Sequence, residues 1–296
     1  MKLLITGASG LYGSRLAKLA LKNQHEVYSV HNQHSAENGV PIQVDIANKN
    51  KLTEEFLKVK PEAIVHAASM TDVDKCEQNR ELAYKVNVEG TKNVADAAKA
   101  CKAFLLYIST DYVFDGEKGC YLETDLASPI SYYGYTKLKA EEYVKNTKGE
   151  FCIARPSVIY GATPAAGKIN FALWVLNKLK NKEQANVFND QWNSPTLNSS
   201  LAEMTLEAVE KRLSGTYNLS GATRITRCDF AQLLAKTFKL DASFLNPTSM
   251  KAFSAPAKRP KDSSLNTSKA EHTLKCKPLK VEDALLRLKT EMTNSA

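Results

Sequence analysis

Short apolar runs and stretches of helical periodicity alternate along the first half of the chain. Lys2–Thr6, Glu26–Val30, Ile42–Val44, Ala63–Ala68 and Phe104–Ser109 read as buried strands, the third ending at Asp45. Between them, apolar residues recur at helical spacing through Leu16, Leu19 and Ala20, through Leu52 to Val59, and along one long helix from Glu77 to Lys99. A helix beginning near Tyr133 and a strand over Phe151–Ala154, ended by Arg155-Pro156, continue the alternation. The pattern predicts an α/β protein with a Rossmann-type doubly wound parallel sheet. From Gly161 the pattern changes to a loop, a helix over Asn170–Leu179 and the polar run Asp190–Thr196. An amphipathic helix over Leu201–Leu213, a late strand over Thr216–Gly221 and a helix capped by Thr226 that carries Phe230, Leu233, Leu234 and Phe238 follow. A proline-containing loop, Lys251–Ser264, precedes a closing helix marked by Val281, Ala284, Leu285 and Leu288. Residues 1–160 are therefore expected to form a nucleotide-binding unit that also receives the strand near 216–221. Residues 161–296 are expected to form mainly a smaller, interleaved α/β substrate-binding domain.

At 296 residues and 43% hydrophobic content the chain can bury a substantial core. No run reaches the length of a membrane span, and the first seven residues are interrupted too soon for a signal peptide, so a cytoplasmic, membrane-free protein is expected. Its cysteines, Cys76, Cys101, Cys120, Cys152, Cys228 and Cys276, are scattered without a C-x-x-C pair, which predicts free thiols and no metal site. The net charge of +8 comes from lysines interspersed with glutamates on helices. That distribution predicts a solvated surface rather than a nucleic-acid interface, with a field that favours anionic small molecules.

Chemistry enters at the first strand, which runs straight into Gly7-Ala8-Ser9-Gly10-Leu11-Tyr12-Gly13 and then a helix. Strand, glycine turn and helix in succession make a dinucleotide site, because the backbone can approach a pyrophosphate that rests on free helix amides. The second strand ends in His31-Asn32-Gln33-His34, without the acid that NAD-preferring sites place there. With Arg15 near, this favours NADPH, with NADH as the alternative; the competing reading is a plain polar loop. Asp45 can accept a bond from the adenine amino group or cap the following helix, and both readings stand. Small residues ending the fourth strand would let a dinucleotide pass close over the sheet. His66 reads as structural, having no partner cluster. Asn87, between two valines, needs polar partners.

Tyr133 and Lys137 lie four residues apart, on one face of a helix, where the ammonium can act on the phenol and lower its pKa. Such a tyrosine can protonate a carbonyl oxygen. Tyr132 and Tyr135 have the wrong phase. Thr110 follows the fifth strand at the carboxyl edge of the sheet, and with Asn87 it can converge on Tyr133. Its hydroxyl can bond a substrate oxygen, or close an ST-turn.

Together these residues resemble the extended short-chain dehydrogenase/reductase family, and within it the dTDP-4-dehydrorhamnose reductase group. The resemblance rests on Gly7-x-x-Gly10-x-x-Gly13, Asp45-Ile46, Val73-Asp74-Lys75-Cys76-Glu77, Asn87-Val88 and Ser109-Thr110-Asp111-Tyr112-Val113-Phe114-Asp115-Gly116. It extends through Tyr133-Gly134-x-Thr136-Lys137, Asp190-Gln191-x-x-Ser194-Pro195-Thr196 and Arg259-Pro260-x-x-Ser263. It implies an oxidoreductase that reduces the 4-keto group of a nucleotide-linked deoxysugar, with Thr110, Tyr133 and Lys137 as catalytic triad. Cofactor would lie along Gly7, Ser9, Gly10, Leu11, Tyr12, Gly13, His31, Asn32, Asp45, Ile46, Ala67, Ala68, Ser69, Asn87, Tyr133 and Lys137. Substrate would meet Thr71, Val73, Thr110, Val158, Gln191 and Arg259, the last as a bidentate charge near the sugar diphosphate. Val158, where many of these reductases have tryptophan, and the pair Trp192-Asn193 bring the chain nearer to the regulatory β subunit of methionine adenosyltransferase. A partner role toward that enzyme's catalytic subunit, a sugar-nucleotide epimerase, a reductase of another sugar, and a homodimer are the alternatives carried forward.

Overall fold

The computed structural model describes residues 1–164 and 168–294, so part of the expected loop after Gly161 lies outside the described residues. In chain order the first half contains β1 (Lys2–Thr6), α1 (Gly13–Lys22), β2 (Glu26–His31), β3 (Val40–Gln43), α2 (Lys49–Val59) and β4 (Ala63–His66). Then come α3 (Val73–Gln78), α4 (Arg80–Tyr84), α5 (Gly90–Cys101), β5 (Phe104–Ile108), α6 (Tyr132–Asn146), β6 (Phe151–Ala154) and β7 (Ser157–Tyr160). The remainder contains α7 (Phe171–Lys180), β8 (Ala185–Phe188), β9 (Trp192–Asn193), β10 (Pro195–Leu197), α8 (Asn198–Glu210) and β11 (Gly215–Tyr217). It closes with β12 (Ile225–Thr226), α9 (Arg227–Phe238), β13 (Leu245–Thr248), α10 (Ser268–Thr273) and α11 (Val281–Thr293).

Seven parallel strands make the central sheet in the order β11-β6-β5-β4-β1-β2-β3. The order reverses beside β1, and in open sheets of this kind the crevice at the carboxyl ends next to that reversal is where ligands bind. β4 and β5 are buried along their whole length, which is why both read as unbroken apolar runs. β11 pairs with β6 in parallel, so the late strand belongs to this sheet. α8 and α10 pack on the same sheet face as α1. A separate core holds α7, α9, α11 and the two-stranded β8–β13 ribbon.

Four elements depart from the sequence pattern. The expected Glu77–Lys99 helix is broken at Asn79 and carries a π-helical turn over Lys85–Glu89, where the Thr91 hydroxyl donates to the Asn87 carbonyl at 2.6 Å. The expected cap of α2 is not Asp45 but Asn48, whose side chain accepts from the Lys51 amide, while Asp45 accepts from Ala47 in a local turn. α8 is buried on most of its surface rather than amphipathic, because the sheet and α1 enclose it. β3 starts two residues early and ends at Gln43. Among the described residues, no helix is long and apolar enough to cross a membrane.

Candidate active site

The glycine turn is shaped by contact distances. Gly7 has φ +70, and a Cβ there would meet the Ala68 backbone at 2.8 Å; one on Gly13 would meet the Gly7 carbonyl at 2.2 Å. Only bare backbone permits β1, the turn and the end of β4 to come this close. α1 begins without a side-chain cap, and apart from the Ser14 amide, which donates to the Gly10 carbonyl at 3.0 Å, its first-turn amides can meet an anion. Ser9, Gly10 and Leu11 line a cleft of about 700 Å³ that Ser14, Arg15 and Asn38 continue. Arg15 stands at that cleft but is paired with Glu291 of α11 at 2.9 Å.

The other expected cofactor contacts divide by burial. Asp45 is exposed, Asn32 is exposed and its carbonyl accepts from Gln43, and His31 ends β2 half-buried. The Tyr12 side chain is sunk in the core, and Ile46 is packed so closely on Gly90 that a Cβ on that glycine would lie 2.7 Å from its Cδ1, which leaves their backbone to face a cofactor. Ala67, Ala68 and Ser69 form the half-buried floor beyond β4, and the Ala68 amide donates to Thr6 Oγ1 at 3.2 Å.

His66 is structural, as its lack of partners in the sequence suggested. Its Nδ1 lies 2.6 Å from Thr6 Oγ1 and its Nε2 2.9 Å from Thr91 Oγ1. Since Thr91 donates onward to Asn87, Nε2 carries the proton and Nδ1 accepts. Burial, with Lys137 adding to it, drives the imidazole down to about 3, so it stays neutral. Asn87 also finds its polar partners. Oδ1 accepts from the Met70 amide at 2.7 Å, and Nδ2 donates to the Met70 carbonyl at 3.1 Å and to Thr136 Oγ1 at 3.0 Å. It therefore reaches the tyrosine helix through Thr136 and fastens the 69–71 segment to it, rather than presenting a free amide beside Thr110.

Thr110, Tyr133 and Lys137 come together at the end of β5. Ser131 caps α6 by accepting from the Gly134 amide at 3.2 Å. Gly134 lets the turn after Thr110 press against the helix, since a Cβ would fall 2.1 Å from the Tyr112 carbonyl. The Thr110 hydroxyl donates to Asp111 Oδ1 at 3.1 Å, accepts from the Tyr112 amide at 3.3 Å, and shares a hydrogen bond with the Tyr133 phenol. It thus closes the ST-turn and meets the tyrosine at once. Lys137 Nζ donates to the Ile108 carbonyl at 2.7 Å and lies 4.4 Å from the centre of the Tyr107 ring. The Tyr132 and Tyr135 rings pack on each other, tilted, with centres 5.5 Å apart.

The electrostatics revise one expectation. Burial raises the Tyr133 phenol well above its usual range, and contact with the Thr110 hydroxyl opposes it only in part. Burial in turn pulls Lys137 down to about 7, with Glu141 and Cys76 opposing. The dehydrated pocket outweighs the four-residue spacing, and the tyrosine is held as a neutral phenol.

On the substrate side, Val73 joins the apolar cluster around Tyr133, and Thr71 is exposed. Val158 is half-buried at φ +40, a conformation rare for a β-branched residue. Gln191 is buried and hydrogen-bonds Tyr112. Arg259, expected as a bidentate charge near the sugar diphosphate, is engaged by Asp74: Nη1 and Nη2 donate to its two oxygens at 3.1 and 2.6 Å. Trp192 is flanked by Arg224 at 5.1 Å and Lys261 at 5.9 Å. Three residues that the motif reading did not single out also belong here. Tyr112 packs edge-on to Tyr133 at 6.0 Å, Cys76 is buried in the same cluster, and Arg227 acts on the Tyr112 phenol. Tyr112 could have been inferred from its place two residues after Thr110; Arg227, a single basic residue at a helix start, left no signal.

Comparison with known proteins follows this geometry. The RmlD substrate binding domain family matches residues 1–294. The chain is 31% identical over 293 residues to the probable low-salt glycan biosynthesis reductase Agl14 of Haloferax volcanii, covering 98% of each. It is 30% identical over 281 residues to methionine adenosyltransferase 2 subunit beta of Bos taurus, covering 91% of this chain and 81% of the relative. The solved structure of dTDP-4-dehydrorhamnose reductase from Bacillus anthracis in complex with NADP matches with a TM-score of 0.88 at 30% identity, covering 98% of this chain and 99% of that one. With the glycine turn, the Thr110–Tyr133–Lys137 arrangement and the seven-stranded sheet in place, the chain belongs to the dTDP-4-dehydrorhamnose reductase family of extended short-chain dehydrogenase/reductases.

Proposed function

We propose that this chain is an NADPH-dependent reductase of the 4-keto group of a nucleotide-linked deoxysugar, with dTDP-4-dehydrorhamnose as substrate and dTDP-rhamnose as product. The observation that carries the reading is the meeting of Tyr133, Thr110 and Lys137 at the carboxyl end of β5, beyond the glycine turn. The turn fits a dinucleotide, since Gly7 and Gly13 let its backbone close against Ala68 and against itself, the tight strand-to-helix turn that such a site needs. Bound NADPH supplies the hydride.

The chain's own groups do the rest. First-turn amides of α1 would hold the pyrophosphate, and Lys137, already donating to the Ile108 carbonyl, would bind the nicotinamide ribose as an N–H donor in either protonation state. Burial keeps Tyr133 neutral, which is the form that can give its proton to the carbonyl oxygen as charge develops there. Thr110 holds the phenol oxygen in register. The apolar wall of Met70, Val73, Cys76 and Ala83 excludes water from that proton.

The likeness to methionine adenosyltransferase 2 subunit beta favours a second reading, a regulatory cofactor-binding subunit acting in the cytoplasm. The assay is NADPH oxidation with dTDP-4-dehydrorhamnose and a panel of other nucleotide ketosugars, with NADH run in parallel. Stoichiometric oxidation on a ketosugar, faster with NADPH, supports the reductase. Inactivity across the panel, together with altered synthetase kinetics on mixing, supports the regulatory reading. Substrate conversion without net NADPH consumption indicates an epimerase.

A further inference from the structure

Beside the triad, on the side of Gln191, the structure gathers two guanidiniums in different situations. Arg259 is committed: its Nη1 and Nη2 donate to both oxygens of Asp74, and Nη1 also donates to the Ala257 carbonyl at 3.0 Å. Asp74 occupies the forked edge on which bidentate recognition of an anion depends. Arg227 opens α9, and its backbone amide donates to the Gln191 carbonyl at 3.1 Å. Its guanidinium carbon lies 4.6 Å from the centre of the Phe171 ring. Among the described residues no carboxylate forms an ion pair with it, and the side chain is half-buried.

Three groups face Arg227 closely enough to act on it: the Tyr112 phenol, the Asp111 carboxylate and the like-charged Arg259. Asp111 is already taken by the hydroxyls of Thr110 at 3.1 Å, Ser157 at 2.8 Å and Ser263 at 2.5 Å. An arginine cannot shed its proton, so a partly dehydrated one that faces another arginine, and whose nearby carboxylate is already bonded to three hydroxyls, is costly until an anion arrives. The Phe171 ring covers one face of the guanidinium plane and orients the fork, leaving its N–H edge available. Gln191 and Tyr112 link this edge to the reacting centre, since Tyr112 touches both Gln191 and Tyr133.

We propose that Arg227, rather than Arg259, is the primary anchor for the diphosphate of the nucleotide-linked sugar, with Arg259 held by Asp74 as a fixed positive wall. The proposal rests on the reading of the site as one for nucleotide diphosphosugars. It makes Arg227 a specificity-determining residue, selecting diphosphate over monophosphate ligands, because a diphosphate brings more negative charge to two adjacent guanidiniums.

The test uses the NADPH-loaded protein and calorimetric titration with dTDP and, separately, dTMP, for wild type, R227Q, R227K and R259Q. Loss of a dehydrated charge-assisted contact should weaken dTDP by about 30-fold or more in R227Q, with dTMP changed by less than about threefold. R227K, which restores charge without the fork, should recover only part of the loss. In turnover, KM should rise in R227Q while kcat stays within about threefold. Equal dTDP affinity in R227Q and wild type overturns the proposal, as does equal loss of dTDP and dTMP, or a loss confined to R259Q. If R227Q also loses NADPH, R227K decides: intact NADPH with at least about tenfold weaker dTDP supports the anchor, and unchanged dTDP overturns it. Wild type that binds NADPH but neither thymidine nucleotide removes the nucleotide-sugar reading itself, and the anchor with it.

Discussion

Replacing Asn87 tests how the site is held. Its amide makes three hydrogen bonds in a fully buried position, two to the Met70 backbone and one to Thr136 on the tyrosine helix. In N87A the Met70 N–H and carbonyl lose their partner, and Thr136 keeps only its bond to the Tyr133 carbonyl at 2.8 Å. At about 1 kcal/mol per bond, with a further penalty for the unsatisfied donor, the loss comes to about 3–4 kcal/mol. N87D is the sharper probe, since it preserves shape and the acceptor toward the Met70 amide but sets an oxygen against the Met70 carbonyl. It should cost at least as much as N87A, whereas a mere volume effect would make N87D nearly silent. Urea unfolding followed by far-UV circular dichroism gives both numbers, and NADPH titration reads the loosening of the Ala68–Met70 floor. Both variants within about 0.5 kcal/mol of wild type would refute the claim that Asn87 fastens this segment.

Two further outcomes follow from the same geometry. His66 has a folded-state pKa of about 3, against about 6.5 when unfolded, so the folded state excludes the proton. Its neutral bonding is unopposed above about pH 6.5, and stability falls as the pH drops from there toward 3. Urea unfolding should lose about 2 kcal/mol between pH 6.5 and 4.5 through this residue, a slope that H66Q removes; an unchanged slope contradicts the assignment. G134A drives a methyl group into the Tyr112 carbonyl and should cost about 2 kcal/mol or more while separating Tyr133 from Thr110. Its turnover should therefore fall further than its stability, and wild-type turnover would show that the close approach is dispensable.

The sheet was legible because parallel strands buried on both faces leave unbroken apolar runs, as in Ala63–His66 and Phe104–Ile108. Short strands such as Trp192–Asn193 and Ile225–Thr226 were not, because two residues carry no period. The π-turn at Asn87 coincides with hydrogen bonds to Met70 and Thr136 that local spacing does not encode. In the site, the phase of Tyr133 and Lys137 along α6 was readable, whereas their pKa values were not. Burial sets those values, and it depends on Tyr107, Met70 and Cys76 arriving from other elements. The capture of Arg259 by Asp74 was hidden for the same reason, since 185 residues separate the partners.

The central claim is that the buried, neutral Tyr133 delivers the proton in reduction of a 4-ketosugar. It is tested most directly by Y133F, assayed for NADPH oxidation with dTDP-4-dehydrorhamnose alongside NADPH titration. The phenyl ring keeps the packing against Tyr112 and Cys76 and removes only the hydroxyl. Turnover should fall by about 10²–10⁴-fold with NADPH affinity unchanged. Undiminished turnover in Y133F would contradict the account.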